Sequence, residues 1–317
     1  MKTILLKFLC CPSCRSDLKL DINSQVFEDE IKSGTLLCHK CNNKYPIIGG
    51  VPVFTANTTE TEITNKAFSK QWELRGKGEF ENNTIFGFDP NEYVSNWNYA
   101  FKLNDIKEIN KTVVMDAGIG AGNLVISLAS SMTDGHVLGI DLSDTVFEIY
   151  RQYGHIKPLH IIRGDIQHLP IKNGVVKMAY SSGVIHHLAN PSLGIKSLWS
   201  AVEKGGQLYI WVYPNYSFCA YHAIRCLMPC SHKLPLEIRL FFSRTLTPFL
   251  WLFFRMTKLY SYGRVNESFS TIAFRLFDNL SPEFQFRFSK DGITKICDKI
   301  GIKIRIINDL GFVADKT

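Results

Sequence analysis

The sequence predicts an α/β protein: a doubly wound, mostly parallel sheet with a helical insertion, preceded by a small cysteine-bearing ribbon. Three observations predict it. From Thr112 onward, short apolar runs alternate with helical segments, as expected for strands joined by crossover helices. A glycine-rich turn, Asp116-Ala117-Gly118-Ile119-Gly120-Ala121-Gly122, separates the first run from the first helix. Two Cys-x2-Cys knuckles, Cys11/Cys14 and Cys38/Cys41, stand near the N-terminus. The 317 residues are 45% hydrophobic and 21% charged, a globular composition that excludes a disordered chain.

Residues 1–56 read as the ribbon. Its knuckles are separated by 23 residues, enough for a β-hairpin between them. Four thiolates give zinc a closed tetrahedral shell with no open position, so the expected role of Cys11, Cys14, Cys38 and Cys41 is structural. Cys10 reads as a bystander. Nine cysteines, four of them with ligand spacing, suit a reducing compartment. Lys7 interrupts the apolar run Ile4-Leu5-Leu6 and no small-residue cleavage site follows, so a cytoplasmic protein is expected. The polar stretch 57–66 reads as a linker, and 67–317 as the main domain. Phe68 to Asn110 reads as helical in pieces.

Strands are expected at Thr112–Met115, His136–Ile140, Leu159–Ile162, Val176–Ser181 and Gln207–Tyr213, with a helix over Leu193–Glu203 stopped by Gly205-Gly206. The pattern breaks at Pro214 and resumes with a helix over Ser289–Ile300 and a strand over Lys303–Ile307. Glycines in the first turn let the backbone bend sharply and approach a ligand. The third glycine falls one residue early for a dinucleotide fingerprint, with Asn123 in its place. Asp116 ahead of the turn suits a cationic amine better than a pyrophosphate. Asp141 ends the second strand, where a carboxylate can accept ribose hydroxyls. Asp165 follows the third. Each alone is more often a cap or turn residue; three at successive strand ends point to a nucleoside crevice.

Val114–Gly122, Gly139–Ser143, Gly164–Pro170 and Tyr180–Leu188 resemble the Rossmann-like class I methyltransferases, nearest to the ubiquinone and menaquinone type. The resemblance covers about residues 112–213 and implies S-adenosylmethionine as cofactor. It implies that Asp116, Gly118 and Gly120 line the methionine end, that Asp141 binds the ribose, and that Asp165 with Ile166 contacts the adenine. Leu142 and Ser181, within the matched motifs, complete the expected cofactor set. The stretch Leu36–Phe54 resembles the zinc-ribbon activator subunit of tRNA, ribosomal and release-factor methyltransferases, here fused to a catalytic domain.

His186 and His187 are candidate catalytic bases, with loop packing as the competing reading. Methyl transfer from a sulfonium is a direct displacement, and positioning can supply much of the rate without a base. Trp211, Tyr213 and Tyr216 could pack on an apolar acceptor. Cys219, His222, Cys226, Cys230 and His232 read chiefly as free thiols and solvated imidazoles. Residues 217–288 form an expected helical insertion or lid. Between Tyr216 and Tyr260 six basic residues accompany one acid, Glu237, within a net charge of +7. Pro248 is expected to kink or restart a helix. Peripheral membrane contact is expected through residues 237–260, and RNA ranks last because the cations are separated by apolar runs. The function read is methyl transfer to a small-molecule, lipid-like or glycan-intermediate acceptor. The alternatives are a tRNA or protein methyltransferase, or a non-catalytic cofactor- or partner-binding protein.

Overall fold

Continuous runs of β-branched and leucine residues, closed by glycine or an acid, form the central strands because both faces of a parallel sheet are covered. The structure, a computed structural model, describes residues 1–21, 25–54, 59–79, 92–215, 220–257, 268–308 and 311–317. In chain order, the first strands are β1 (Lys19–Leu20), β2 (Gln25–Phe27), β3 (Glu30–Leu37), β4 (Lys44–Ile48) and β5 (Val51–Phe54). Helices α1 (Thr59–Gly76) and α2 (Glu92–Phe101) follow. Then come β6 (Val113–Ala117), α3 (Asn123–Ser131), β7 (His136–Asp141), α4 (Thr145–Tyr153), β8 (Leu159–Gly164), β9 (Val176–Ser182), α5 (Pro191–Ala201) and β10 (Val202–Trp211). The remainder comprises α6 (Ala220–Leu227), α7 (Leu236–Thr257), α8 (Phe269–Leu280), α9 (Lys290–Lys299), β11 (Arg305–Ile306) and β12 (Gly311–Asp315).

Among the described residues the strands run in the order β1-β3-β4-β5-β8-β7-β6-β9-β10-β12-β11, with β2 paired to β3. From β5 to β10 every neighbour is parallel. This is the doubly wound, Rossmann-like arrangement, with β6 beside the reversal of strand order. Helix α5 starts on a side-chain cap, Asn190 Oδ1 accepting from the Leu193 N–H at 3.0 Å, with Pro191 in its first turn.

The ribbon joins this sheet directly. Val53 pairs with Arg163 and Phe54 with Gly164, so β5 covers the edge of β8. Leu5, Leu9, Ile31 and Leu36 belong to the same buried cluster as Leu138, Ile140, Leu169 and Ile171. Arg15, at a left-handed φ of 64° in the first knuckle, donates to the carbonyls of Leu169 and Ile171, each at 2.5 Å.

Two compact units result. The first comprises residues 1–56, 93–214 and 286–317; the second comprises 57–92 and 215–285. In the second, α8 is the centre: every residue from Thr271 to Leu280 is buried. The carbonyls at its C-terminal end are taken by side chains. Arg225 donates to the carbonyls of Asn279, Pro282 and Glu283, Ser231 to that of Leu280, and Arg239 to that of Ser281. Arginine suits this place because orphan carbonyls and the negative end of the helix dipole coincide there.

At four places the structure departs from or extends the expected pattern. The stretch 57–66 is helical from Thr59, because a polar run without glycine or proline has nothing to stop a helix. The fifth strand begins at Val202 rather than Gln207, with a register irregularity between Val202 and Gln207 that absorbs Gly205 and Gly206. Pro248 lies inside α7 without ending it. Strand β12 was not expected at all, yet it pairs antiparallel with β10 along its whole length.

The shared core predicts shared stability. Leu36→Ala in the ribbon should cost about 2–5 kcal/mol and lower hydrogen-exchange protection in β7 and β8 as well. Unchanged protection there, with only ribbon amides affected, would refute a common core.

Candidate functional site

The glycine turn is fixed by the end of β7. Gly118 N–H donates to the Ile140 carbonyl at 2.7 Å, and Gly120 N–H donates to Asp141 Oδ2 at 2.9 Å. The other carboxylate oxygen accepts from Ser143 N–H at 2.8 Å. Thr145 Oγ1 donates back to the Gly120 carbonyl at 3.1 Å. Gly118 has φ +91°, and a Cβ there would lie 2.2 Å from Val184 Cγ2. Glycine is therefore required at this position both for conformation and for space. The motif reading did not single out Val184 or Thr145; nothing in their residue type announces the contact.

Asp116 is buried at the inner end of the turn. Burial first, and the neighbouring Asp141 carboxylate second, push its carboxyl up to about 8. Burial also raises Asp141, against the hydrogen bonds from Ser143 and Gly120 that favour its charged form. Asp165, also buried, accepts from Gln167 N–H at 2.8 Å and lies 3.1 Å from His168 Nδ1; Ile166 begins the short 3-10 turn that follows. Ser181 donates to the Ala117 carbonyl at 2.8 Å and ties β9 to β6. The Leu142 carbonyl accepts from Arg163 Nε at 3.2 Å. Asp116, Gly118, Gly120, Asp141 and Leu142 thus gather at the carboxyl ends of β6 and β7, with Asp165 and Ile166 after β8.

His186 and His187 lie in the turn after β9, both buried. The His186 ring stacks on Tyr213 with centroids 3.6 Å apart, and its Nδ1 accepts from Tyr213 N–H at 3.2 Å. That fixes the proton on Nε2, so the neutral ring offers a donor and not a base. Burial holds its pKa well below the usual histidine range. Trp211 meets Tyr213 edge-on at 5.6 Å, and the Arg287 guanidinium lies 5.6 Å from the Tyr213 ring centroid. Tyr216 and Cys219 lie outside the described residues.

In the ribbon, the Sγ atoms of Cys11, Cys14, Cys38 and Cys41 all lie within 4.8 Å of one another. Cys11 to Cys41 is 3.5 Å and Cys14 to Cys38 is 3.4 Å. A tetrahedral zinc with bonds of about 2.3 Å needs sulfurs roughly 3.8 Å apart, so the four thiols fit the ion. Among the described residues no other cluster of this kind occurs.

Residues 115–210 match the family described as a methyltransferase domain. The chain carries a methyltransferase domain over these residues. Residues 2–50 match the family described as Trm112p-like protein, so a Trm112-like zinc ribbon precedes the methyltransferase domain. The methyltransferase domain's match ends at Ile210, inside β10. Over 96 residues the chain is 29% identical to an uncharacterized 37.1 kDa protein of transposon Tn4556 from Streptomyces fradiae, covering 30% of this chain and 28% of that protein. The chain thus spans little more than a quarter of that relative's length. Two solved structures share low identity. One is the complex of the Haloferax volcanii Trm112 methyltransferase activator with a methyltransferase (12% identity, TM-score 0.48, 78% of this chain and 98% of that one). The other is the magnesium protoporphyrin IX methyltransferase of Synechocystis with bound S-adenosylhomocysteine (14% identity, TM-score 0.48, 81% and 99%). Among the described residues no helix is long and apolar enough to cross a membrane.

Two outcomes follow. Below about pH 4 the Asp116 carboxyl is protonated in both folded and unfolded chains. Above that only the unfolded chain ionises, until the folded carboxyl follows at about 8. The cofactor-free protein should therefore lose stability as pH rises across this window. Asp116→Asn should flatten that part of the profile in thermal melts; an unaltered slope would refute the assignment. Elemental analysis should find one zinc per chain, lost in Cys38→Ser/Cys41→Ser. Undiminished zinc in the double variant would exclude these ligands.

Proposed function

We propose that the chain transfers a methyl group from S-adenosylmethionine to a small-molecule acceptor, a lipid-like or glycan intermediate. The observation that carries the cofactor site is the buried Asp116 with the half-buried Asp141 around a glycine turn too tight for any side chain at Gly118. S-adenosylmethionine supplies an electrophilic methyl on a sulfonium. Asp116 is placed for the cofactor's ammonium, and a nearby cation would favour the ionised form of an acid that burial otherwise keeps protonated. Gly118 and Gly120 leave backbone open to the methionine portion. Asp141 takes the ribose hydroxyls while its two backbone donors hold it in place. Asp165 and Ile166 take the adenine side, and Leu142 and Ser181 shape the crevice.

Support for a ring-bearing or apolar acceptor is the wall of His186, Trp211 and Tyr213 at the ends of β9 and β10, with Arg287 beside it. We assign no general base. His186 presents Nε2–H and suits orientation of an acceptor oxygen or of the loop itself, and His187 packs beside it in the same turn. An acceptor that is nucleophilic already needs only to be held in line with the methyl. A second reading, a tRNA or protein acceptor, is favoured by the Trm112-like ribbon.

Calorimetry should show S-adenosylmethionine binding weakened in Asp141→Ala by ~1–3 kcal/mol, the cost of buried donors losing a charged acceptor. Wild-type affinity in that variant would sink the ribose assignment. Incubation with methyl-labelled cofactor and fractionated extract should place label in the lipid or small-molecule pool. Label in RNA or protein would replace this acceptor class by the second reading, and binding without any transfer would leave a cofactor-binding protein.

A further inference from the structure

Helix α7 is built inside out. Its buried side carries Arg239, Ser243 and Thr247 along with Leu250 and Phe254. The hydroxyls are quiet there because each returns to its own helix: Ser243 Oγ to the Leu240 carbonyl at 2.8 Å, Thr247 Oγ1 to the Ser243 carbonyl at 2.6 Å. Arg239 is held by the Ser281 carbonyl at the end of α8. The outer side carries Ile238, Phe241, Phe249, Leu252 and Met256, exposed by between 41% (Ile238) and 76% (Met256). Their spacing of three, eight, three and four residues keeps all five within one stripe, given 3.6 residues per turn. Thr245 fills the gap between Phe241 and Phe249 on the same line. A helix of 22 residues is about 33 Å long, so this is an apolar strip interrupted by Thr245, whose hydroxyl returns to the Phe241 carbonyl, and not a scattered set of exposed side chains. A folding chain normally puts such residues inward and the hydroxyls outward. Here the inward places are filled, and the strip is left for something else.

Charge narrows what that is. No acid lies in the strip. Arg244 and Arg255 border it on one side, both exposed, and exposed Lys233 precedes the helix; Glu237 is the sole acid in α7. Arg244 is paired with Glu79 at the surface, an ion pair of the exposed kind that exchanges readily for another anion. Near the C-terminal end the Arg255 guanidinium sits 4.2 Å over the Trp251 ring, which stacks at 5.1 Å on Phe269. A cation resting on one of two stacked aromatic rings beside an apolar strip matches the boundary between acyl chains and phosphate headgroups, where apolar bodies and charged tips are both accommodated. The same helix is too polar along its inner side to cross a bilayer, in keeping with a helix that lies flat.

We propose that α7 docks the protein, parallel to the membrane plane, on a phospholipid surface bearing anionic headgroups. The strip enters the acyl boundary, and Arg244, Arg255 and Lys233 meet lipid phosphates. This inference stands independently of methyl transfer, since it needs neither cofactor nor acceptor.

The test is flotation of the purified full chain with vesicles of phosphatidylcholine alone and of phosphatidylcholine mixed with phosphatidylglycerol. Binding is expected to both, stronger to the anionic vesicles, and reduced in high salt as the charge contribution is screened. Phe249→Ser/Leu252→Ser should lower partitioning at least about tenfold, since each removes apolar area that docking would bury. Both residues are on the surface, so the variant should keep its melting temperature and its S-adenosylmethionine affinity, which separates lost docking from lost folding. Trp251 fluorescence should shift to the blue on adding anionic vesicles to the wild type only. Three results overturn the proposal: no flotation of the wild type, equal flotation of the double variant, or a wild-type dimer by light scattering that Phe249→Ser/Leu252→Ser dissolves while neither form floats. The last would assign the strip to a second copy of the chain.

Discussion

One carboxylate organises the crevice. Asp141 ends β7 and takes the Gly120 N–H on one oxygen and the Ser143 N–H on the other. The first bond fixes the turn after β6, and the second fixes the approach to α4. Both turns are therefore shaped by a group that belongs to neither. Its cost is electrostatic: neutral amides satisfy the half-buried Asp141 without cancelling its charge, and Asp116, the next acid inward, is driven toward its neutral form by its own burial first and by that charge second. In free protein this is a penalty, and binding of a positively charged group would relieve it.

The ribbon contributes through backbone geometry as much as through a metal. Strand β5 occupies the free edge of β8, the strand that leads into Asp165. Arg15, one residue beyond a cysteine of the first knuckle, grips the carbonyls of Leu169 and Ile171 in the same loop. Cys10 N–H adds a bond to the Pro170 carbonyl at 2.9 Å, and Lys172 N–H one to the Phe8 carbonyl at 2.8 Å. A four-thiolate site therefore holds more than itself: the turn it closes carries the residues that pin the loop after β8. The ribbon completes the sheet and does not hang from it.

What was legible in the residues follows from local physics. Strands β6 to β8 are readable because burial on both faces favours apolar runs, and the glycine turn is readable because conformation demands glycine at Gly118. The three acids were visible as strand-end residues, but their consequences were not: nothing in the letters says that Asp141 would bond to Gly120, or that Asp116 would be sealed from water. Strand β12 was missed because Gly311–Asp315 is a short run whose meaning comes from its partner, β10, a hundred residues earlier. The junction of β5 with β8 is likewise a long-range pairing. The first half of α1 reads as linker from its polar composition, yet nothing in it breaks a helix. His186 was legible as a histidine in a motif, but its tautomer is set by the Tyr213 amide, which no spacing reveals.

Charge in the insertion shows how composition and structure diverge. Six basic residues between Tyr216 and Tyr260 read as a cationic surface. Arg239 is buried and Arg225 half-buried; they cap the carbonyls that end α8, and burial lowers the pKa of both. Counting them as partners for an anion misplaces a third of that charge. Removing them leaves a surface that is less basic and more apolar than the sequence suggests, and the same accounting explains the polarity of α7. A helix bundle centred on a buried α8 must bring donors to its orphan carbonyls. Arg239 therefore points inward from α7, and the face that turns inward with it cannot also be the most apolar one. The aromatic residues of α7 take the outer side because the inner side is committed to capping a neighbour. The exposed strip is in this sense a consequence of how α8 ends.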